Sequence, residues 1–223
     1  MSDTTIAPLE ELAELSHRFE TAPPTEIVSW AFDRYGDDMV MAASFQDCVL
    51  IDIVAQAAPE LEVVFLDTQY HFPETLSFVE EVRRRYDLRL TVLEPLVRPD
   101  NLWQRDVTAC CNARKVEPLN RALDGRAAWM TGLRRLDAPT RANAPIVSYD
   151  LARDLVKINP LATWSDLDMS GYIADHELPV HPLSERGYPS IGCWPCTRPV
   201  SDGEDPRAGR WAGQDKTECG LHA

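Results

Sequence analysis

No stretch of the 223-residue chain approaches about 18 uninterrupted apolar residues, so no membrane-spanning helix is predicted. The first twenty residues are polar and acidic, without the basic segment and apolar core of a secretory leader. Basic charge is scarce as well: 22 Lys and Arg stand against 36 Asp and Glu, a net charge of −14. That balance excludes a broad cationic face gripping DNA or RNA, although a local arginine cluster can still bind a small phosphate or sulfate. Internal repeats and low-complexity tracts are missing too. These absences predict a soluble cytoplasmic protein with neither nucleic acid nor membrane as partner, and its thiols are then kept reduced.

What the chain has is 44% apolar residues, enough for one globular domain or a domain plus a tail. Folding at this length hides roughly 70% of the extended chain's surface, so the six cysteines are not needed as disulfide staples. They read as thiols, metal ligands or catalytic groups.

Helices are expected over 8–19 and 25–35, and then strand and helix alternate. Strands are predicted at 39–43, 61–67, 88–93, 127–131 and 155–158, and helices at 48–55, 74–86, 101–123 and 165–176. Alternation of this kind predicts an α/β fold with a parallel twisted sheet flanked by helices. Right-handed crossovers place the loops 44–47 and 67–72 along one carboxyl-end edge, where such sheets bind ligands. Residues 179–223 carry six prolines and six glycines and read mostly as loop. The division expected is an α/β body over 1–200 and a mobile tail over 201–223.

Two cysteine pairs carry the strongest chemical signal, Cys110-Cys111 and Cys193-Trp194-Pro195-Cys196. Alone, the second pair reads equally as a redox dithiol or half a zinc site, and the first as coincidence. Together they offer four thiolates, the complement of tetrahedral zinc or of an iron–sulfur cluster. Adjacent helical residues point about 100° apart, so separate iron corners accept both thiolates more easily than one zinc ion does, which favours a [4Fe–4S] cluster. Cys48, among Val49, Leu50 and Ile51, reads as a small core residue. Cys219 lies in a polar, glycine-flanked terminal stretch and reads as an exposed thiol, either incidental or a nucleophile helped by Lys216 and His222 and opposed by Glu218.

Five ordered motifs give the chain a resemblance to the assimilatory sulfonucleotide reductases, specifically the iron–sulfur adenylyl-sulfate (APS) reductases. They are Cys-Cys-Asn-Ala-Arg-Lys (110–115), Thr-Gly-Leu-Arg-Arg (131–135), Ile-Gly-Cys-Trp-Pro-Cys-Thr-Arg-Pro (191–199), Arg-Ala-Gly-Arg-Trp (207–211) and Glu-Cys-Gly-Leu-His (218–222). The resemblance implies an adenine-nucleotide α-hydrolase-like fold, related to ATP pyrophosphatases, whose first βα loop holds the phosphosulfate. Here that loop is Ser44-Phe45-Gln46-Asp47, a departure from the longer serine-glycine loop of many relatives. The resemblance also implies that Leu66, Thr68 and Gly132 bracket the adenosine and that Arg141, Arg207 and Arg210 hold the phosphosulfate. Lys115, four residues after Cys111 on a predicted helix, stands where it can bridge cluster and anion or else be plainly solvated. His17, His71, His176 and His181 read as loop or surface groups.

Thiol arithmetic then constrains the chemistry. Reducing a sulfuryl sulfur takes two electrons, and with four cysteines on metal and Cys48 buried, Cys219 alone is free. It would take the sulfo group from APS, and a thioredoxin-type dithiol would release sulfite. A reductase of the 3′-phosphorylated nucleotide (PAPS) is the nearest rival; a zinc-stabilised nucleotide-binding or interaction module is a rival of another class. A homo-oligomer remains open.

Overall fold

The strands carry apolar residues on both of their faces, and both faces are covered. The computed structural model describes residues 9–214 and 216–221. Strands β1 (Met39–Ala43), β2 (Glu62–Leu66), β3 (Leu90–Leu93), β4 (Ala128–Thr131), β5 (Val147–Asp150) and β6 (Leu155–Ile158) form one sheet in the order β3-β2-β1-β4-β6-β5. All pairings are parallel except that of β5 with β6. Around the sheet lie α1 (Leu9–Arg18), α2 (Pro24–Tyr35), α3 (Val49–Ala57), α4 (Pro73–Tyr86), α5 (Leu102–Arg105), α6 (Val107–Cys111), α7 (Glu117–Leu123) and α8 (Asp166–Asp175). This is the α/β architecture that the alternating pattern predicts. Among the described residues, no helix is long and apolar enough to cross a membrane.

Successive residues of each strand go to opposite layers. Met39 and Met41, Val63 and Phe65, Ala128 and Met130, and Val156 and Ile158 pack with apolar residues of α1 to α4. Their neighbours Val40, Val64, Leu66, Trp129 and Leu155 pack with Leu119 and Leu123 of α7. The strand order runs one way from β1 through β2 to β3 and the other way to β4, so a crevice opens where the loops after β1 and β4 part.

Two expectations need correction. The helix predicted over 101–123 is not continuous. Asp106 adopts an extended conformation and caps α6, its Oδ1 accepting from the Ala109 amide at 2.9 Å. Residues Asn112–Val116 then form a π-helical turn that ends two residues before Pro118. Proline has no amide hydrogen, and its ring crowds the carbonyl four residues earlier; widening the turn relieves that crowding. Strand β5, which lies outside the predicted elements, closes the sheet as an antiparallel edge.

Phe78 of α4 is 1% exposed in the main core, whereas Leu167 of α8 is 82% exposed. Phe78→Ala is expected to lower stability by about 3–5 kcal/mol through the cavity it leaves. Leu167→Ala is expected to change it by no more than about 0.5 kcal/mol. Urea denaturation midpoints of the two variants check both.

Candidate active site

The crevice at the carboxyl edge is a cavity of about 450 Å³. Ser44, Leu66, Thr68, Lys115, Gly132, Arg141, Arg207, Arg210 and Cys219 all line it, so the nucleotide and nucleophile positions expected from the sequence meet in one place. In the loop after β1, Phe45 takes the left-handed conformation, φ 54°, that glycine adopts without strain. Its buried ring packs edge-on against Phe65 at 5.4 Å between centroids, and that packing offsets the strain. Asp47 Oδ1 accepts from the Val49 amide at 3.1 Å. Burial pushes the Asp47 carboxyl above the ordinary aspartate value, against the Val49 hydrogen bond and the nearby Arg134 charge.

Behind this cavity lies a second, smaller one lined by all four paired cysteines, Cys110, Cys111, Cys193 and Cys196. Lys115, Arg210 and Trp211 line both cavities. Thr68 joins them as well, with its hydroxyl 3.3 Å from the Cys193 sulfur. Burial pushes the Cys196 thiol up to about 11, with the Cys193, Cys111 and Cys110 sulfurs adding to the rise. Burial opposes the charge on Lys115, but the Cys193 and Cys219 sulfurs outweigh it and hold the ammonium above the usual lysine value. Among the described residues, no three His, Cys, Asp or Glu side chains are gathered as a single metal ion requires.

Arg210 reaches the cavity because two glycines leave it room. A Cβ on Gly192 would lie 2.4 Å from Arg210 Nη2, and one on Gly209 would lie 2.2 Å from the Arg198 carbonyl oxygen. That second approach permits the bridge of Thr197 with Arg210, which holds the 207–211 motif against the Cys193–Cys196 loop. Arg210 donates to Ser190 Oγ at 3.1 Å and to the Ile191 carbonyl at 3.3 Å, while its buried Nε has no hydrogen-bond partner among the described residues. The ring of Trp211 lies under Arg210, Arg207 and Lys216, at 4.7, 5.9 and 6.0 Å.

The terminal motif departs from expectation. Cys219 is not exposed: it is 9% accessible and packs with Cys111 and Trp211. Glu218 turns from the thiol to Arg141, accepting from Nε at 2.8 Å and from Nη2 at 2.6 Å. Burial works against the Glu218 charge, yet the hydrogen bonds and charge of Arg141, with Arg207, keep its pKa below the ordinary glutamate value. Lys216 reaches Thr108 Oγ1 at 3.2 Å, and His222 lies outside the described residues.

Other groups at or near the site escape sequence reasoning. Arg114, 1% exposed, donates to Gln69 Oε1 and the Arg98 carbonyl, both at 2.7 Å, and lies over the Tyr70 ring at 4.6 Å. It thereby ties together the loops that surround the cysteines; its place within Cys-Cys-Asn-Ala-Arg-Lys was the available signal. His71 and His181 are not plain surface groups. His71 Nε2 bonds the Leu66 carbonyl oxygen at 2.9 Å, and the buried His181 ring bonds Thr75 Oγ1 at 2.9 Å. Burial pushes His181 down to about 4. Cys48 is buried as expected and is pushed up to about 12 by burial.

Comparison with known proteins follows the same lines. Residues 38–199 match the phosphoadenosine phosphosulfate reductase domain. A curated adenosine 5′-phosphosulfate reductase of Mycolicibacterium smegmatis is 46% identical, over 100% of this chain and 99% of its own. Its namesake in Rhodococcus erythropolis is 44% identical, over 99% and 98%. Among solved structures, a phosphoadenylyl-sulfate (PAPS) reductase of Candida auris in its phosphate complex aligns with a TM-score of 0.75 at 26% identity, covering 84% of this chain and 96% of that one. An FMN adenylyltransferase of Candida glabrata, at 16% identity and a TM-score of 0.62 over 91% of this chain and 74% of its own, shares the fold alone. With this cavity, these cysteines and these relatives, the chain belongs to the phosphoadenosine phosphosulfate reductase family.

Proposed function

We propose that the protein reduces adenosine 5′-phosphosulfate to sulfite and AMP, taking electrons from a thioredoxin-type dithiol in the reducing cytoplasm. The observation that carries this reading is the placing of Cys219 in the wall of a nucleotide-sized cavity beside Lys115, Arg207 and Arg210. APS is preferred to PAPS as substrate because the full-length relatives at 43–46% identity bear the APS name, against 26% for the PAPS reductase.

Adenosine lies against the strand ends at Leu66, Thr68 and Gly132, with its phosphosulfate toward Lys115, Arg207 and Arg210. These cations offset the negative oxygens, and the unpartnered Arg210 Nε is a donor already aimed into a buried setting. The Cys219 thiolate attacks the sulfuryl sulfur; a sulfur–sulfur bond forms, the sulfur–oxygen bond breaks, and AMP leaves with the electron pair. A donor thiolate then attacks Cys219 Sγ and sulfite departs. The donor's second thiol resolves the mixed disulfide, so both electrons come from the dithiol. Residues 201–223 serve as a catalytic tail on the body 1–200, closing for the first attack and opening for the second.

The four paired cysteines suit a [4Fe–4S] cluster. They share one cavity with Lys115 and Arg210, whose charges would offset those of four thiolates, and the adjacent pair Cys110-Cys111 suits separate iron corners better than one ion. Cys110, Cys111, Cys193 and Cys196 would hold it, and when bound it would supply charge next to Lys115.

Three outcomes are expected. Holding Cys219→Ser with APS yields no sulfonated terminal peptide by mass spectrometry, and turnover falls by about a thousandfold or more; an adduct in that variant would overturn the assignment. Anaerobically purified protein contains about four irons and a broad visible absorbance, whereas one zinc per colourless chain would refute the cluster. Gly192→Ala displaces the Arg210 guanidinium and raises KM for APS about tenfold or more, read from steady-state rates.

A further inference from the structure

We infer that Glu218 is a positioning residue for sulfo transfer: clamped to Arg141, it seats the tail so that the Cys219 thiol enters the nucleotide cavity. The inference deepens the function proposed above and rests on it for the identity of the transferred group.

The contact is of an unusual kind for a terminal segment. Both oxygens of Glu218 meet two prongs of one guanidinium, and Thr140 Oγ1 donates to Oε1 at 3.2 Å. Arg207 Nη2 stands 3.8 Å from the same carboxylate. The Arg141 and Glu218 side chains are only 11% and 18% exposed, so the pair is screened far less than a surface ion pair. Bidentate geometry fixes orientation as well as distance. Glu218 and Cys219 are adjacent, with Cα atoms about 3.8 Å apart, so holding the carboxylate places the thiol.

The remaining tail contacts are weaker holds. Lys216 reaches Thr108, Arg207 Nη2 donates to the Thr217 carbonyl at 3.2 Å, and Leu221 packs beside Cys219 and Trp211. None of them combines direction with partial burial of opposite charges.

The clamp also divides the arginines. The third prong of Arg141, Nη1, faces Asp137 Oδ2 at 3.4 Å, so its whole fork is engaged by carboxylates. Arg210, whose Nε has no partner among the described residues, faces the substrate anion, and Arg207 stands between that anion and Glu218. The seated tail is no plug, because the cavity of about 450 Å³ is what remains with Cys219 and Glu218 in its wall. A nucleotide and the closed tail fit together.

The test uses the cluster-loaded full chain. Alkylation of Cys219 by iodoacetamide, read by mass spectrometry without nucleotide, is expected to run about tenfold faster in Glu218→Gln than in the wild type, and intermediate in Arg141→Lys, which keeps charge but loses the fork. Single-turnover sulfonation with APS and no dithiol separates seating from binding. Glu218→Gln should lower the maximal rate about tenfold or more while moving the half-saturating APS concentration less than about threefold. Unchanged alkylation or an unchanged maximal rate would overturn the clamp. So would tighter APS saturation in Glu218→Gln, which would make Glu218 an occupant of the substrate's own anion subsite. Absence of any adduct in the wild type would sink the sulfo-transfer reading, and the alkylation arm would still decide the clamp.

Discussion

Lys115 and Arg210 stand between two cavities, and the cost of holding their charges away from water organises everything around them. Neither cation is freely hydrated, so each requires negative charge close by. On one side stand the cysteine sulfurs, Cys193 and Cys219 facing both cations, which favour the charged form of each. On the other, under the proposed function, stands the phosphosulfate of the substrate. A chain with a net charge of −14 thus concentrates cations at one place, where they are least screened.

The loops that hold this arrangement are themselves under conformational load. Phe45, Gln69 and Trp211 all have positive φ, at 54°, 65° and 49°, and each belongs to a segment at or beside the carboxyl edge of the sheet. Left-handed backbone at such residues costs on the order of 1–2 kcal/mol each and persists only where other contacts compensate. The compensation is visible in each case: ring packing for Phe45, the Arg114 hydrogen bond for Gln69, and the surrounding cations for Trp211. A scaffold of buried strands makes that tolerable, since Val40, Trp129 and Val156 are fully or almost fully enclosed.

Much of this was legible in the sequence, and what was not has local causes. Buried parallel strands such as Met39–Ala43 and amphipathic helices such as Pro73–Tyr86 announce themselves through period and length. Strand β5 did not, because an edge strand with half-buried Ser148 and Tyr149 has no apolar run. The break before Cys110 depends on the extended Asp106, and the widened turn after Cys111 on Pro118, seven residues further along. In the sequence Cys219 reads as exposed because its polar neighbours look solvated. Their partners, Arg141 and Thr108, lie 77 and 108 positions back, beyond any local window. The site residues drawn from family resemblance came together around one cavity, but the pairing of Arg141 with Glu218 was invisible until the chain was folded.

The π-helical turn at Asn112–Val116 is in effect a one-residue insertion between the adjacent cysteines and α7. Each helical residue adds about 100° of rotation. Deleting one residue there would restore α-helical phase, and if α7 kept its grip on the sheet through Leu119 and Leu123, Cys110 and Cys111 would swing round by that angle. The aim of the two sulfurs is therefore a matter of helical bookkeeping, set by how many residues the chain spends on a single revolution.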